Sequence, residues 1–267
     1  MSDVAPVGPG DRASAAHTLP LTSAVIAPGW ALAYGVAVLA LNLALQFASR
    51  SEAVMGPLRS LVSGVGGSDA ARSLAAAGLA ATIIAVSYLL MLLPAGVLVF
   101  TARRRGVSLA SAVGVRPTSL GTTLRLAALI VVGGFAVTLL YAWVCAAFGV
   151  PVQGNTTGLV AGFGAGWPEM ALAFILVGVV APFVEEVTFR GIVFPSLQAS
   201  WGTGAAMLAS GAMFGIVHLQ LTIAVPLALL GMALTAVFMR TRSLWSAIAA
   251  HCAYNVVSLA LAFALLR

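Results

Sequence analysis

The chain of 267 residues contains no lysine, and charged side chains of every kind make up only 7% of it. Soluble domains carry about a quarter of their residues as charges, so a water-exposed globular surface is excluded. Hydrophobic residues reach 61% and the mean hydropathy is +1.08, values of an integral membrane protein. Cysteine is almost missing. The two present, Cys145 and Cys252, both lie in apolar runs, which excludes a disulfide framework or a cysteine-rich zinc cluster and leaves two small buried hydrophobes. No aspartate follows Asp69, so a membrane site built on paired aspartates is excluded. H-E-x-x-H and G-x-S-x-G are absent too, removing zincins and serine-elbow hydrolases. The net charge of +6 comes entirely from arginine; in such a chain it reports loop orientation, not nucleic-acid binding.

What remains is long apolar runs. Only helices and closed barrels satisfy their backbone in lipid, and these runs are too long and too continuous for barrel strands. The expected fold is all-α, a polytopic transmembrane bundle of about seven (seven to eight) spans. They fall near 23–48, 73–101, 121–149, 168–190, 203–219, 221–239 and 244–266. Residues 1–22, rich in Pro, Gly, Ser and Ala, read as a flexible tail before a signal-anchor helix, not as a cleavable signal. The division is therefore a tail (1–22), N-terminal spans (23–160) and a C-terminal core (161–267). The cluster Arg103, Arg104 and Arg105 places its loop and the N-terminus in the cytoplasm, and the turn carrying Arg240 and Arg242 falls on the same side. The Ala- and Arg-biased, lysine-free composition points to a bacterial plasma membrane.

Against this background one stretch stands out, A-P-F-V-E-E-V-T-F-R-G at Ala181–Gly191. Glu185, Glu186 and Arg190 fall there within an otherwise apolar run. An ionisable group at membrane depth costs at least ~2.5–3.5 kcal/mol, which makes it a functional-site hypothesis by default. Glu186 and Arg190 are spaced i, i+4 for an ion pair. Glu185 points about 100° away, poorly solvated beside a like charge, a setting that suits a general base. Pro182 removes a backbone hydrogen bond just before the pair, which is expected to bend the helix and open a wet cavity. Glu169 follows Pro168 at a helix start and reads as structural.

Two histidines lie inside spans. His218 ends G-A-M-F-G-I-V-H, where Gly211 and Gly215 form a G-x-x-x-G pair for close helix approach and Phe214 stands one turn below the imidazole. His251 and Asn255 share a stripe of the last span. Glu185 lies sixteen residues before Trp201 and His218 sixteen after Gly202. Antiparallel packing about that turn puts both roughly 24 Å from it, with Arg190–Ser200 projecting beyond the membrane. A buried carboxylate, imidazoles and an amide donor are what addition of water to a peptide carbonyl requires.

These residues resemble a known family. E-E-x-x-x-R (Glu185, Glu186, Arg190), F-x-x-x-H (Phe214, His218) and H-x-x-x-N (His251, Asn255) look, in order and interval, like the three motifs of the CPBP family, the CAAX prenyl proteases and bacteriocin-processing enzymes also called ABI proteins. R-S-L-W at Arg242–Trp245 resembles the run before the last motif. The likeness covers roughly residues 165–258; the first three spans match only in hydropathy. The resemblance implies an intramembrane endopeptidase acting on a membrane-associated peptide or protein. In it Glu185 activates water with His218, His251 and Asn255 stabilise the oxyanion, and Glu186 with Arg190 hold the geometry. The family is often called metalloprotease, and Glu185, His218 and His251 are the residues that would ligate one divalent ion such as zinc; a metal-free site is the favoured reading. The alternatives are a catalytically silent scaffold or immunity partner built on the same fold, and a proton-coupled transporter. The transporter would show an inverted repeat, and none is visible.

Overall fold

The computed structural model describes residues 28–104, 114, 117–152 and 166–265. The N-terminal tail, most of the basic loop after Arg104 and most of the glycine-rich loop before Trp167 lie outside the described residues. Every regular element among the described residues is helical. In chain order these are α1 (Pro28–Arg50), α2 (Glu52–Ser63), α3 (Asp69–Arg104), α4 (Leu120–Ala147), a long segment α5 (Trp167–Val217), a short 3-10 turn (Leu221–Ile223), α6 (Ala224–Thr241) and α7 (Leu244–Leu265). Among the described residues five helical segments, in α3 through α7, are long and apolar enough to cross a membrane, and α1 adds a shorter apolar stretch, Leu32–Ala44. The chain is a polytopic helical bundle.

The fourth and fifth expected spans lie in one helical segment of 51 residues. Straight, it would extend about 77 Å, more than twice the ~30 Å hydrocarbon core. It is broken at Gly202, whose φ 76° and ψ 169° fall in a region essentially reserved for glycine. The two halves fold back on each other there: Phe189 and Phe214, on opposite sides of Gly202, meet edge to face with ring centroids 5.2 Å apart. The stretch from Arg190, expected to project as a polar extension, is buried inside the bundle through Leu197. It packs with α1 and α3 residues Val38 and Met91 in one core cluster.

Within α5 the chain widens twice into π-helix, at Phe174–Val180 and at Phe189–Val193. The backbone N–H groups of Ala181 and Phe194 reach back five residues, to the carbonyls of Leu176 and Phe189. Each widening is followed by a proline, Pro182 or Pro195, four residues after a glycine, Gly178 or Gly191. In α-helical register a proline ring collides with the carbonyl four residues back; the extra residue per turn moves that carbonyl aside. The helix thus meets Pro182 by widening, where the sequence alone suggests a simple bend.

The second half of α5 lies against α6 at backbone distance. A Cβ on Gly211 would stand 2.5 Å from Met232 Cγ and 2.9 Å from the Ala228 carbonyl, and one on Gly231 would stand 3.0 Å from Phe214 Cβ. Gly215 faces the Ala224 carbonyl and the Ala228 backbone nitrogen with no room for a methyl group. Small residues on both helices produce this approach, as the G-x-x-x-G spacing suggests. Behind it, Leu230 and Leu234 of α6 join Ala127 and Ile130 of α4 and Ala247 and Ala250 of α7 in a second cluster. Gly215→Ala is expected to destabilise the protein by about 1–3 kcal/mol. Gly204→Ala, with nothing within 4 Å of its Cβ, should be neutral or stabilising by about 0.5–1 kcal/mol. Thermal unfolding of both variants in detergent checks the contrast.

Candidate active site

The site begins with a pair inside one helix. Arg190 Nη1 donates to Glu186 Oε1 at 2.7 Å, and both residues are fully buried. The other guanidinium nitrogen, Nη2, donates to the Gly231 carbonyl of α6 at 2.5 Å. The guanidinium also lies over the Phe214 ring, 5.0 Å from its centroid. The close α5–α6 contact brings that carbonyl within reach, and the fold-back at Gly202 brings that ring. The i, i+4 spacing foretold the pair, and the structure adds Gly231 as its anchor.

Glu186 has a second partner that the spacing does not reveal. Its Oε1 also accepts from Nδ1 of His251, at 2.8 Å. One buried oxygen therefore joins α5 to α7 and fixes the imidazole. Because the acceptor is a carboxylate already paired with Arg190, Nδ1 carries the proton. Nε2 then turns to Glu185, lying 3.8 Å from Oε2, too far for a direct hydrogen bond. Glu185 keeps 12% of its side chain accessible, and its Oε2 is buried with no hydrogen-bond partner. The two adjacent carboxylates thus take opposite sides of one imidazole, one tied and one open.

His218 enters from the end of the second half of α5. Its Nδ1 lies 2.6 Å from the Phe214 carbonyl, so this nitrogen also holds its proton and Nε2 is left as an acceptor. Phe214 stands between the two imidazoles, with centroids 4.9 Å from His218 and 5.7 Å from His251. Glu185, His218, His251 and Asn255 line one cavity of about 610 Å³. All six predicted site residues therefore come together: four on the cavity, with Glu186 and Arg190 buried behind His251. Glu169 is buried in the first turn of α5 and does not line the cavity.

Asn255 faces the cavity too, but its amide is already engaged. Nδ2 donates to the Val177 carbonyl, in the first π-helical stretch, at 2.9 Å. One of the two amide hydrogens is thereby held and the other is available. Sequence reasoning also missed Tyr88 of α3, which lines the same cavity. Its only signal was a polar aromatic in the middle of an apolar span. For a metal the fit is incomplete: among the described residues no three His, Cys, Asp or Glu side chains form a ligating group. The open pair Glu185 and His251 supplies two donors, where a catalytic zinc usually has three protein ligands.

With this geometry in place, comparison with known proteins is direct. Residues 167–257 match the family described as type II CAAX prenyl endopeptidase Rce1-like. Over this segment the chain is similar to that family. A Bacillus subtilis (strain 168) protein, YdiL, a candidate membrane peptidase by its name, is 33% identical over 84 residues. That match covers 32% of this chain and 34% of YdiL, so the chain aligns with about a third of this curated relative's length. No solved structure matches. The matched segment holds every predicted site residue of the CAAX-protease motifs, whereas Tyr88 lies outside it.

Glu186→Gln leaves the Arg190 guanidinium buried without its counter-charge and weakens the hold on His251. Removing one partner of a buried pair costs about 3–5 kcal/mol, so unfolding in detergent should occur at a distinctly lower temperature. Combining it with Arg190→Met should recover part of the loss, since no lone charge then remains.

Proposed function

We propose that the protein is an intramembrane endopeptidase that hydrolyses a peptide bond of a membrane-associated peptide or protein. The observation that carries this reading is His251: Glu186 holds it from behind at 2.8 Å, and Glu185 stands open on its other side in a cavity shared with His218 and Asn255. The similarity of residues 167–257 to the type II CAAX prenyl endopeptidase Rce1-like family supports it. The cavity walls include apolar side chains of α4 and α7, such as Phe135, Leu139 and Leu261, which suits an apolar segment arriving from the bilayer.

In the proposed mechanism Glu185 accepts a proton from a water molecule as the water oxygen bonds to the scissile carbonyl carbon. Nε2 of His218, its other nitrogen tied to Phe214, accepts the water's second hydrogen bond and aligns it. The carbonyl π electrons move to oxygen, and the free N–H of Asn255 donates to the resulting oxyanion. His251, with its proton on Nδ1 toward Glu186, presents an accepting Nε2 on the Glu185 side. Collapse of the intermediate breaks the C–N bond, and the departing amine takes the proton from Glu185. No step requires a metal ion.

Glu185→Gln should abolish cleavage of a reporter peptide in detergent-purified protein while leaving its unfolding temperature unchanged. It keeps the shape and removes the base. Turnover near wild type would sink the mechanism. Elemental analysis of the same active preparation completes the test: stoichiometric zinc that tracks with activity, and is lost in His218→Ala, overturns the metal-free reading. We propose, on the arginine cluster Arg103–Arg105, that the N-terminus and the loop after Arg104 face the cytoplasm. A single cysteine at Ser108, in a background lacking Cys145 and Cys252, should resist an impermeant reagent in intact cells; labelling reverses the orientation.

A further inference from the structure

Asn255 reaches its position because of a missing hydrogen bond elsewhere. At the end of the first π-helical stretch the backbone N–H of Ala181 bonds five residues back, to the Leu176 carbonyl. The next residue is Pro182, which has no N–H. The carbonyl five residues before it, that of Val177, therefore receives no backbone donor in this register. A buried carbonyl without a partner is costly, and Asn255 Nδ2 of α7 fills the place at 2.9 Å. Gly178 makes the approach feasible. It is buried, and a Cβ on it would stand 3.0 Å from Val256 Cγ2, the side chain next to Asn255.

We infer that Pro182, through the Val177 carbonyl it frees, is a positioning residue for Asn255, fixing the amide so that its second N–H faces the cavity. An asparagine amide has two donors on one nitrogen and a flat, weakly restricted terminal torsion. A single carbonyl acceptor settles both which end is nitrogen and which way the remaining hydrogen points. Pro182 is three residues from Glu185, and Asn255 is four from His251, so one contact sets the height of the base-bearing helix against the donor-bearing helix. The part concerning the oxyanion rests on the peptidase reading above; the coupling between Pro182 and Asn255 does not.

The test is a double-mutant cycle on the full-length protein in detergent, read first by unfolding temperature. Asn255→Ala should lower Tm by about 3–6 °C in the wild-type background, because Val177 loses its donor. In a Pro182→Ala background the same substitution should lower it by less than about 1 °C, since the N–H restored at position 182 takes over the carbonyl. Equal losses in both backgrounds overturn the inference. The second reading is kinetic. Asn255→Ala should reduce kcat roughly 100-fold, Pro182→Ala roughly tenfold, both with KM little changed, and the double variant should be no worse than Asn255→Ala alone. A Pro182→Ala enzyme with wild-type kcat overturns the positioning role. Coupled unfolding temperatures in a protein whose wild type cleaves no peptide would remove the peptidase reading and leave the Pro182–Asn255 coupling standing.

Discussion

The architecture depends on one carboxylate oxygen. Glu186 Oε1 accepts from Arg190 within its own helix and from His251 of α7, while Arg190 extends the link to the Gly231 carbonyl of α6. Three helices are thereby tied at one point without solvent. Ion pairs in apolar surroundings are poor sources of net stability, because desolvation offsets much of their attraction. Their strength lies in the cost of being broken. A shift of α6 or α7 that separates them leaves a charge unpaired where no water can replace the partner. The cluster therefore fixes the register of the helices that carry Glu185, His218, His251 and Asn255.

Small residues and widened turns make that cluster attainable. Gly211 and Gly215 let α6 approach to backbone distance, without which the Gly231 carbonyl could not meet the guanidinium. The π-helical stretches bracket the two glutamates, ending at Val180 before them and starting at Phe189 after them. Each extra residue per turn rotates the downstream helix relative to the upstream one, so the acidic turn is aimed independently of the rod on either side. Tyr34 of α1 completes the support: its hydroxyl donates to the Met91 carbonyl of α3 at 2.5 Å and lies 3.2 Å from Thr188 Oγ1, beside the acidic turn.

Features confined to one helix were legible in the sequence. The Glu186–Arg190 pair follows from i, i+4 spacing, the close face of α5 from Gly211 and Gly215, and the membrane class from composition alone. The common site of Glu185 and His218 followed from counting residues on either side of Gly202. Features set by the rotation and height of one helix against another were not legible. His251 could be placed near the carboxylates, but that it bonds to Glu186 depends on how α7 is turned, which no spacing within α7 specifies. Tyr88 belongs to a span with no motif, so nothing in it announced a place on the cavity wall. The π-helical stretches did leave a trace, a glycine four residues before each of Pro182 and Pro195. It becomes readable once a proline is asked which carbonyl it would strike.

The location of the charged pair also bears on how the chain is made. Glu186 and Arg190 sit on a single helix and compensate each other there, so this pair can leave the translocation machinery already matched, before any later helix has been synthesised. The groups contributed afterwards, the Gly231 carbonyl and the His251 imidazole, bring no fixed charge with them. Biogenesis can thus proceed from the N-terminus onward with no step at which Arg190 waits in lipid for a counter-charge still on the ribosome. Had the arginine been placed on α7 instead, the same three-helix junction would demand that two mismatched charges enter the bilayer separately and find each other later.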